Sequence, residues 1–178
     1  DRVVTSGLEH HALDRPVQLL ARWGVEHVVV PPGDAGPFAL DVLRETLEEG
    51  GVRLVATTAA SNVTGDRLPV DEIVTLAHEF GALALVDAAQ TAGWLPSDVG
   101  ALAVDLLAFT GHKGPQGPWG IGGLYVADHV VMASPAATCD VAAPSDGSAP
   151  ACAPMPGYCD VGSVDRSASA SSVGVSST

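Results

Sequence analysis

Apolar positions along the first 130 residues keep two alternating periods. Leu40, Leu43 and Leu47 fall on one face of a helix that the spacing predicts over 38–49, ended by Gly50-Gly51. Val70, Ile73, Val74, Ala77 and Phe80 line one side of a second predicted helix over 69–80, closed by Gly81. A third is predicted over 14–23, with Asp14 as its cap, Pro16 in its first turn and Gly24 at its end. Between these lie short apolar runs of strand length at 2–5, 26–30, 52–57, 82–86, 104–109 and 122–126.

Short apolar strands alternating with amphipathic helices predict an α/β domain with a mostly parallel sheet between helices. In such sheets ligands bind beyond the carboxyl ends of the strands. The polar residues placed there are Asn62, Asp87 with Gln90, and Thr110 with His112 and Lys113. No GxGxxG or GxxxxGK[ST] pattern occurs, and Gly120-Ile-Gly-Gly123 reads as a tight turn feeding a strand. From about residue 131 the periodicity stops. Residues 131–178 are rich in Ala, Ser, Pro and Gly and offer little for a core. The expected organisation is a domain core over 1–130 and a continuation over 131–178. That continuation reads as an extension, a linker or discontinuous pieces of the same domain. Since Arg2-Val-Val-Thr5 reads as a strand already inside a domain, an incomplete domain is expected.

A net charge of -13 argues against a broad nucleic-acid or anionic-membrane surface. No run approaches the roughly 18 apolar residues of a spanning helix and none has a signal-peptide layout, so a cytoplasmic protein is expected. Cys139, Cys152 and Cys159 are odd in number and irregularly spaced, which fits neither a disulfide framework nor a paired CxxC metal site.

Lys113 is the chain's single lysine. It follows an apolar strand in a glycine-rich turn where backbone can approach a ligand. An amine there can form a Schiff base with an aldehyde; the competing reading is a solvated surface lysine. Asp87 ends a run of five apolar residues, so its carboxylate either caps the 88–92 segment or pairs with a cationic ligand atom, such as a protonated pyridine nitrogen. Gln90, three residues on, can present its amide to the same space. Asn62 in SNVTG either makes an Asx-turn or faces the site. His10 and His11 lack further ligands at metal-site spacing, and one of them could instead lie flat on an aromatic cofactor. His112 is either a phosphate donor or a structural partner beside Lys113. His27, His78 and His129 read as ordinary satisfied histidines.

Four segments, in order, resemble the class V aminotransferase family of pyridoxal-phosphate enzymes, in particular its cysteine desulfurase and selenocysteine lyase branch. They are Glu9-His-His-Ala12, Ser61-Asn-Val-Thr-Gly65, Val86-Asp-Ala-Ala-Gln-Thr-Ala-Gly93, and Ala108-Phe-Thr-Gly-His-Lys-Gly114 with Gly117-Pro118 and Gly120-Ile-Gly-Gly-Leu-Tyr-Val126. The resemblance covers roughly residues 5–130. Beyond it, Tyr158 to Asp165 is loosely similar to the family's YEAGTPN segment.

The resemblance implies the large domain of a type I PLP-dependent transferase, with pyridoxal 5'-phosphate as cofactor. It makes Lys113 the Schiff-base lysine, which also moves the substrate Cα proton. It sets Asp87 at the pyridine nitrogen, Gln90 at the ring's phenolic oxygen and His10 on the ring face. Asn62 is placed near that oxygen and the substrate carboxylate, Thr110 and His112 at the phosphate, and Ser163 at the phosphate of a partner subunit. A homodimer and a small amino-acid substrate derived from cysteine are implied as well. The family's upstream glycine-threonine phosphate loop, its small domain with the carboxylate-binding arginine, and its sulfur-accepting cysteine loop have no counterpart in this text. Position 17 is valine where many relatives have tryptophan. The implied activity is cleavage of the C–S bond of cysteine or a cysteine conjugate, as a C–S lyase or a desulfurase. The alternatives are transamination or epimerisation with the same cofactor, and a non-catalytic α/β scaffold.

Overall fold

The computed structural model describes residues 1–34 and 36–131. They contain six strands: β1 (Arg2–Ser6), β2 (Glu26–Val30), β3 (Val52–Thr58), β4 (Leu83–Asp87), β5 (Leu106–Thr110) and β6 (Gly122–Val126). The helices are α1 (His11–Leu20), continued by a 3-10 turn over Ala21–Trp23, α2 (Leu40–Glu48), α3 (Val70–Glu79) and the short α4 (Val99–Leu102). One sheet has the order β2-β1-β3-β4-β5-β6. All neighbours run parallel except β6, which returns antiparallel to β5. The mostly parallel α/β sheet expected from periodicity is what the chain forms.

The core explains the spacing. Leu43 and Leu47 of α2 and Ile73, Val74 and Ala77 of α3 join Val4, Val30, Val55, Ala84, Val86 and Leu107 of the strands in one buried cluster. Helical residues three and four apart thus meet strand residues that alternate in and out of the sheet. Val17 is the buried residue of α1, which packs by β2 and lies outside that cluster.

The short α4 was not expected, and of the boundaries that differ from expectation two have a clear physical cause. The first helix starts at His11, because His10 and not Asp14 is its cap: the His10 Nδ1 accepts from the Ala12 N–H at 3.1 Å. Pro16 therefore sits inside the helix, where its missing N–H leaves one carbonyl of the preceding turn without its helical donor. The run at 104–109 is interrupted by a buried polar residue, Asp105, and the strand begins only at Leu106.

Asp105 closes a polar cluster at the amino-terminal end of β5. One carboxylate oxygen accepts from the Ala84 N–H at 2.6 Å and meets His78 Nε2 at 2.8 Å. The other meets His129 Nε2 at 2.7 Å. Burial alone would raise its pKa. The Ala84 amide and the two imidazoles reverse that and hold the carboxyl below the usual range. His78 and His129 are satisfied histidines, as expected, and their shared partner is this carboxylate. Among the described residues, no helix is long and apolar enough to cross a membrane.

Candidate active site

The sheet order reverses around β1, since β2 lies on one side of it and β3 on the other. In open α/β sheets such a switch point leaves a crevice beyond the strand ends. The loop after β1 enters α1 through His10, and the loop after β3 runs through Ser61 to Gly65. These loops and the segments that follow β4 and β5 enclose a cavity of about 460 Å³. His10, Asn62, Asp87, Gln90, Thr110, His112 and Lys113 all line it. Seven residues chosen from the sequence, spread over more than a hundred positions, thus meet in one place. The eighth, Ser163, lies outside the described residues.

Local chemistry positions each group. Asp87 ends β4, and its Oδ1 accepts from the Ala89 N–H at 2.9 Å. The carboxylate thus holds the start of the following segment while it also lines the cavity. Asn62 does not make the turn that contains it: Ser61 Oγ accepts from the N–H groups of Val63 and Thr64, each at 3.3 Å. The Asn62 amide is left exposed at the cavity. Thr110 Oγ1 meets His112 Nδ1 at 2.8 Å, which fixes the imidazole at the end of β5.

Lys113 sits within a loop closed at its base, where the Gly111 N–H donates to Ile121 O and the Gly117 N–H to Gly111 O, both at 2.7 Å. The turn itself is tied by the Gln116 N–H, which donates to Lys113 O at 2.9 Å. This loop presses against the segment after β4. A Cβ added to Gly114 would lie 2.0 Å from the Ala92 carbonyl oxygen, and one on Gly93 2.5 Å from the Gly114 carbonyl carbon. Only glycine lets the Gln90 and Lys113 segments approach so closely.

Two further groups contact residues that line the cavity, and neither stands out in the sequence by its own chemistry. Trp119, 85% exposed, stacks on the His112 ring at 4.4 Å and 13°. Glu9 accepts from the Ser6 hydroxyl and from the Thr58 N–H, at 2.9 Å for the latter. Burial pushes its pKa up to about 7 against the pull of those hydrogen bonds, and the Asp87 charge adds to the rise. An indole following proline and an acid preceding two histidines carry no sequence signal of such contacts.

The aminotransferase class-V family pattern matches residues 1–138. The chain belongs to this family. It is 45% identical over 136 residues to a cysteine desulfurase of Shigella sonnei (strain Ss046), which spans 76% of this chain and 33% of that protein. With a cysteine desulfurase of Escherichia coli (strain K12 / DH10B) it shares 44% identity over the same length and the same shares. Among solved structures, the apo cysteine desulfurase of Thermococcus onnurineus NA1 superposes with a TM-score of 0.66 at 38% identity, over 72% of this chain and 32% of that one. The cysteine desulfurase CsdA of Escherichia coli, in an S-sulfonic acid form, gives 0.65 at 35%, over 71% and 32%. The chain spans about a third of the length of these class-V relatives.

Proposed function

We propose that the chain binds pyridoxal 5'-phosphate in this cavity and serves cleavage of the C–S bond of cysteine or a cysteine conjugate. The observation that carries the reading is the convergence of the only lysine, Asp87, Gln90, His10, Thr110 and His112 on one cavity of a size suited to a small cofactor. The donor set fits: an amine for an aldehyde, a carboxylate for a protonated ring nitrogen, and a hydroxyl with an imidazole for a phosphate. When bound, pyridoxal phosphate supplies an electron sink for the substrate carbon.

The chain's own groups do the rest. Lys113 Nζ carries the covalent link and moves the proton at the substrate Cα. Asp87 keeps a proton on the ring nitrogen, and Gln90 donates its amide to the ring's phenolic oxygen. His10, held at the start of α1 by its bond to the Ala12 N–H, covers one ring face. Thr110 and His112 hold the phosphate as a hydrogen-bonded pair. Asn62 orients the substrate carboxylate. The proposal extends to a homodimer in which Ser163 reaches the partner's phosphate, as the family resemblance implies, and to a cytoplasmic setting.

The test is spectroscopic, followed by product analysis. Full-length protein is expected to show the visible band of protein-linked cofactor, and Lys113→Ala is expected to lose it. A protein that stays colourless with added cofactor overturns the reading. With cysteine as substrate, alanine marks a desulfurase outcome, whereas pyruvate marks a lyase.

A further inference from the structure

Glu9 has a buried carboxyl that the proposed chemistry does not use. It lies just after β1, yet its Oε1 accepts from the Thr58 N–H at the end of β3 as well as from the Ser6 hydroxyl at the end of β1. It therefore ties the two strands that flank the switch point of the sheet. Thr58 is also the register partner of Asp87, and its hydroxyl lies 3.4 Å from the Asp87 carbonyl oxygen. The residue after Glu9 is His10. One carboxyl is thus connected to both groups assigned to the cofactor ring, the carboxylate at its nitrogen and the imidazole on its face.

The second oxygen, Oε2, is buried and has no hydrogen-bond partner. An ionised carboxylate with a bare buried oxygen is costly, and here it would face the like charge of Asp87 on β4. The other groups acting on it are Ser6 on β1 and Thr58 on β3, which carry no charge. Protonation removes the buried charge and its repulsion with Asp87, while Oε1 still accepts both hydrogen bonds. We propose that Glu9 is a positioning residue for the ring end of the pocket, holding the β1 and β3 ends together as a neutral acid so that His10 and Asp87 meet the ring. The inference rests on the pyridoxal phosphate reading above. Its ionisation leaves two adjacent negative charges at the strand ends and loosens the tie.

The pH dependence follows from the direction of the shift. The folded pKa of about 7 lies above the ordinary 4.5, so the folded state holds this proton more tightly than the unfolded state does. The stabilising contribution is full below the ordinary value and is lost as pH rises through the folded one.

The test compares wild type, Glu9→Gln and Glu9→Ala in the full chain, with pyridoxal phosphate, pyridoxal and inorganic phosphate as probes. Near pH 6, Glu9→Ala is expected to bind pyridoxal phosphate and pyridoxal about tenfold more weakly, the scale of a lost buried hydrogen-bond pair, with phosphate affinity unchanged. Glu9→Gln, a neutral isostere, is expected to restore both. Above the folded pKa, wild type is expected to fall behind Glu9→Gln in cofactor affinity and, without cofactor, in melting temperature. Glu9→Ala binding like wild type overturns the proposal, as does Glu9→Gln failing to rescue near pH 6. A melting-temperature gap that does not change with pH also overturns it. A wild type that takes up no pyridoxal phosphate refutes the cofactor reading and the positioning role with it, whereas the melting-temperature comparison tests the neutral acid independently of cofactor.

Discussion

Replacing Asp105 with Asn removes one charge from the cluster at the end of the sheet opposite the cavity. The carboxylate is 1% exposed and accepts from three directions. Hydrogen bonds to a charged acceptor contribute about 1 kcal/mol more than neutral ones. The His129 ring is 66% exposed, so its bond is screened and contributes little. The Ala84 and His78 bonds remain, and the expected loss is about 2 kcal/mol at neutral pH. For a chain of this size that is a fall of roughly 6 °C in melting temperature. Urea unfolding followed by tryptophan fluorescence measures it directly. The sign with pH is also set. Because the folded carboxyl titrates below its ordinary value, its contribution is present above about pH 4 and is lost as pH falls through the folded value. The gap between wild type and Asp105→Asn should therefore shrink as pH falls below about 4, through the folded value. A gap under about 0.5 kcal/mol at neutral pH, or one that persists undiminished once the folded carboxyl is protonated, refutes the account of the cluster.

Two other substitutions probe the cavity. Gly114→Ala forces its new methyl into the Ala92 carbonyl and the Trp94 ring, at an overpacking cost of about 1–3 kcal/mol. It should separate the Gln90 and Lys113 segments, so absorbance titration should show weaker cofactor uptake, whereas a variant that colours like wild type refutes the contact. Trp119→Ala removes the ring stacked on His112, an interaction of about 0.5–1.5 kcal/mol. Equilibrium dialysis should then show pyridoxal phosphate affinity falling several-fold with pyridoxal affinity unchanged, because the role proposed for His112 is at the phosphate and not at the ring.

Periodicity determined the elements of this protein. The spacing of leucine and valine along 38–49 and 69–80 is what α2 and α3 bury, and the strand of 122–126 stands at its expected bounds. Strand-end polar residues were legible for the same reason. An apolar run can admit a functional side chain only where the strand stops, so Asp87, Thr110, His112 and Lys113 marked the cavity in advance. The start of α1 was not legible, because a histidine can cap as well as an aspartate and only its φ/ψ and its bond to Ala12 distinguish them.

What the linear text left undecided are relations between distant segments. The β1–β3 neighbourhood brings Glu9 to Thr58, forty-nine residues away, and the burial that comes with it raises the pKa of an ordinary acid. The packing of β4 against β5 makes Asp105 an acceptor for Ala84 and His78, and it sets Gly93 against Gly114 so that side-chain atoms are excluded. Protonation state and glycine necessity depend on what lies within a few ångströms, and spacing along the chain carries none of that. The sequence by itself determined the main strands and helices and which strand ends present polar groups. The tertiary structure alone decided which of those groups touch, and with what charge.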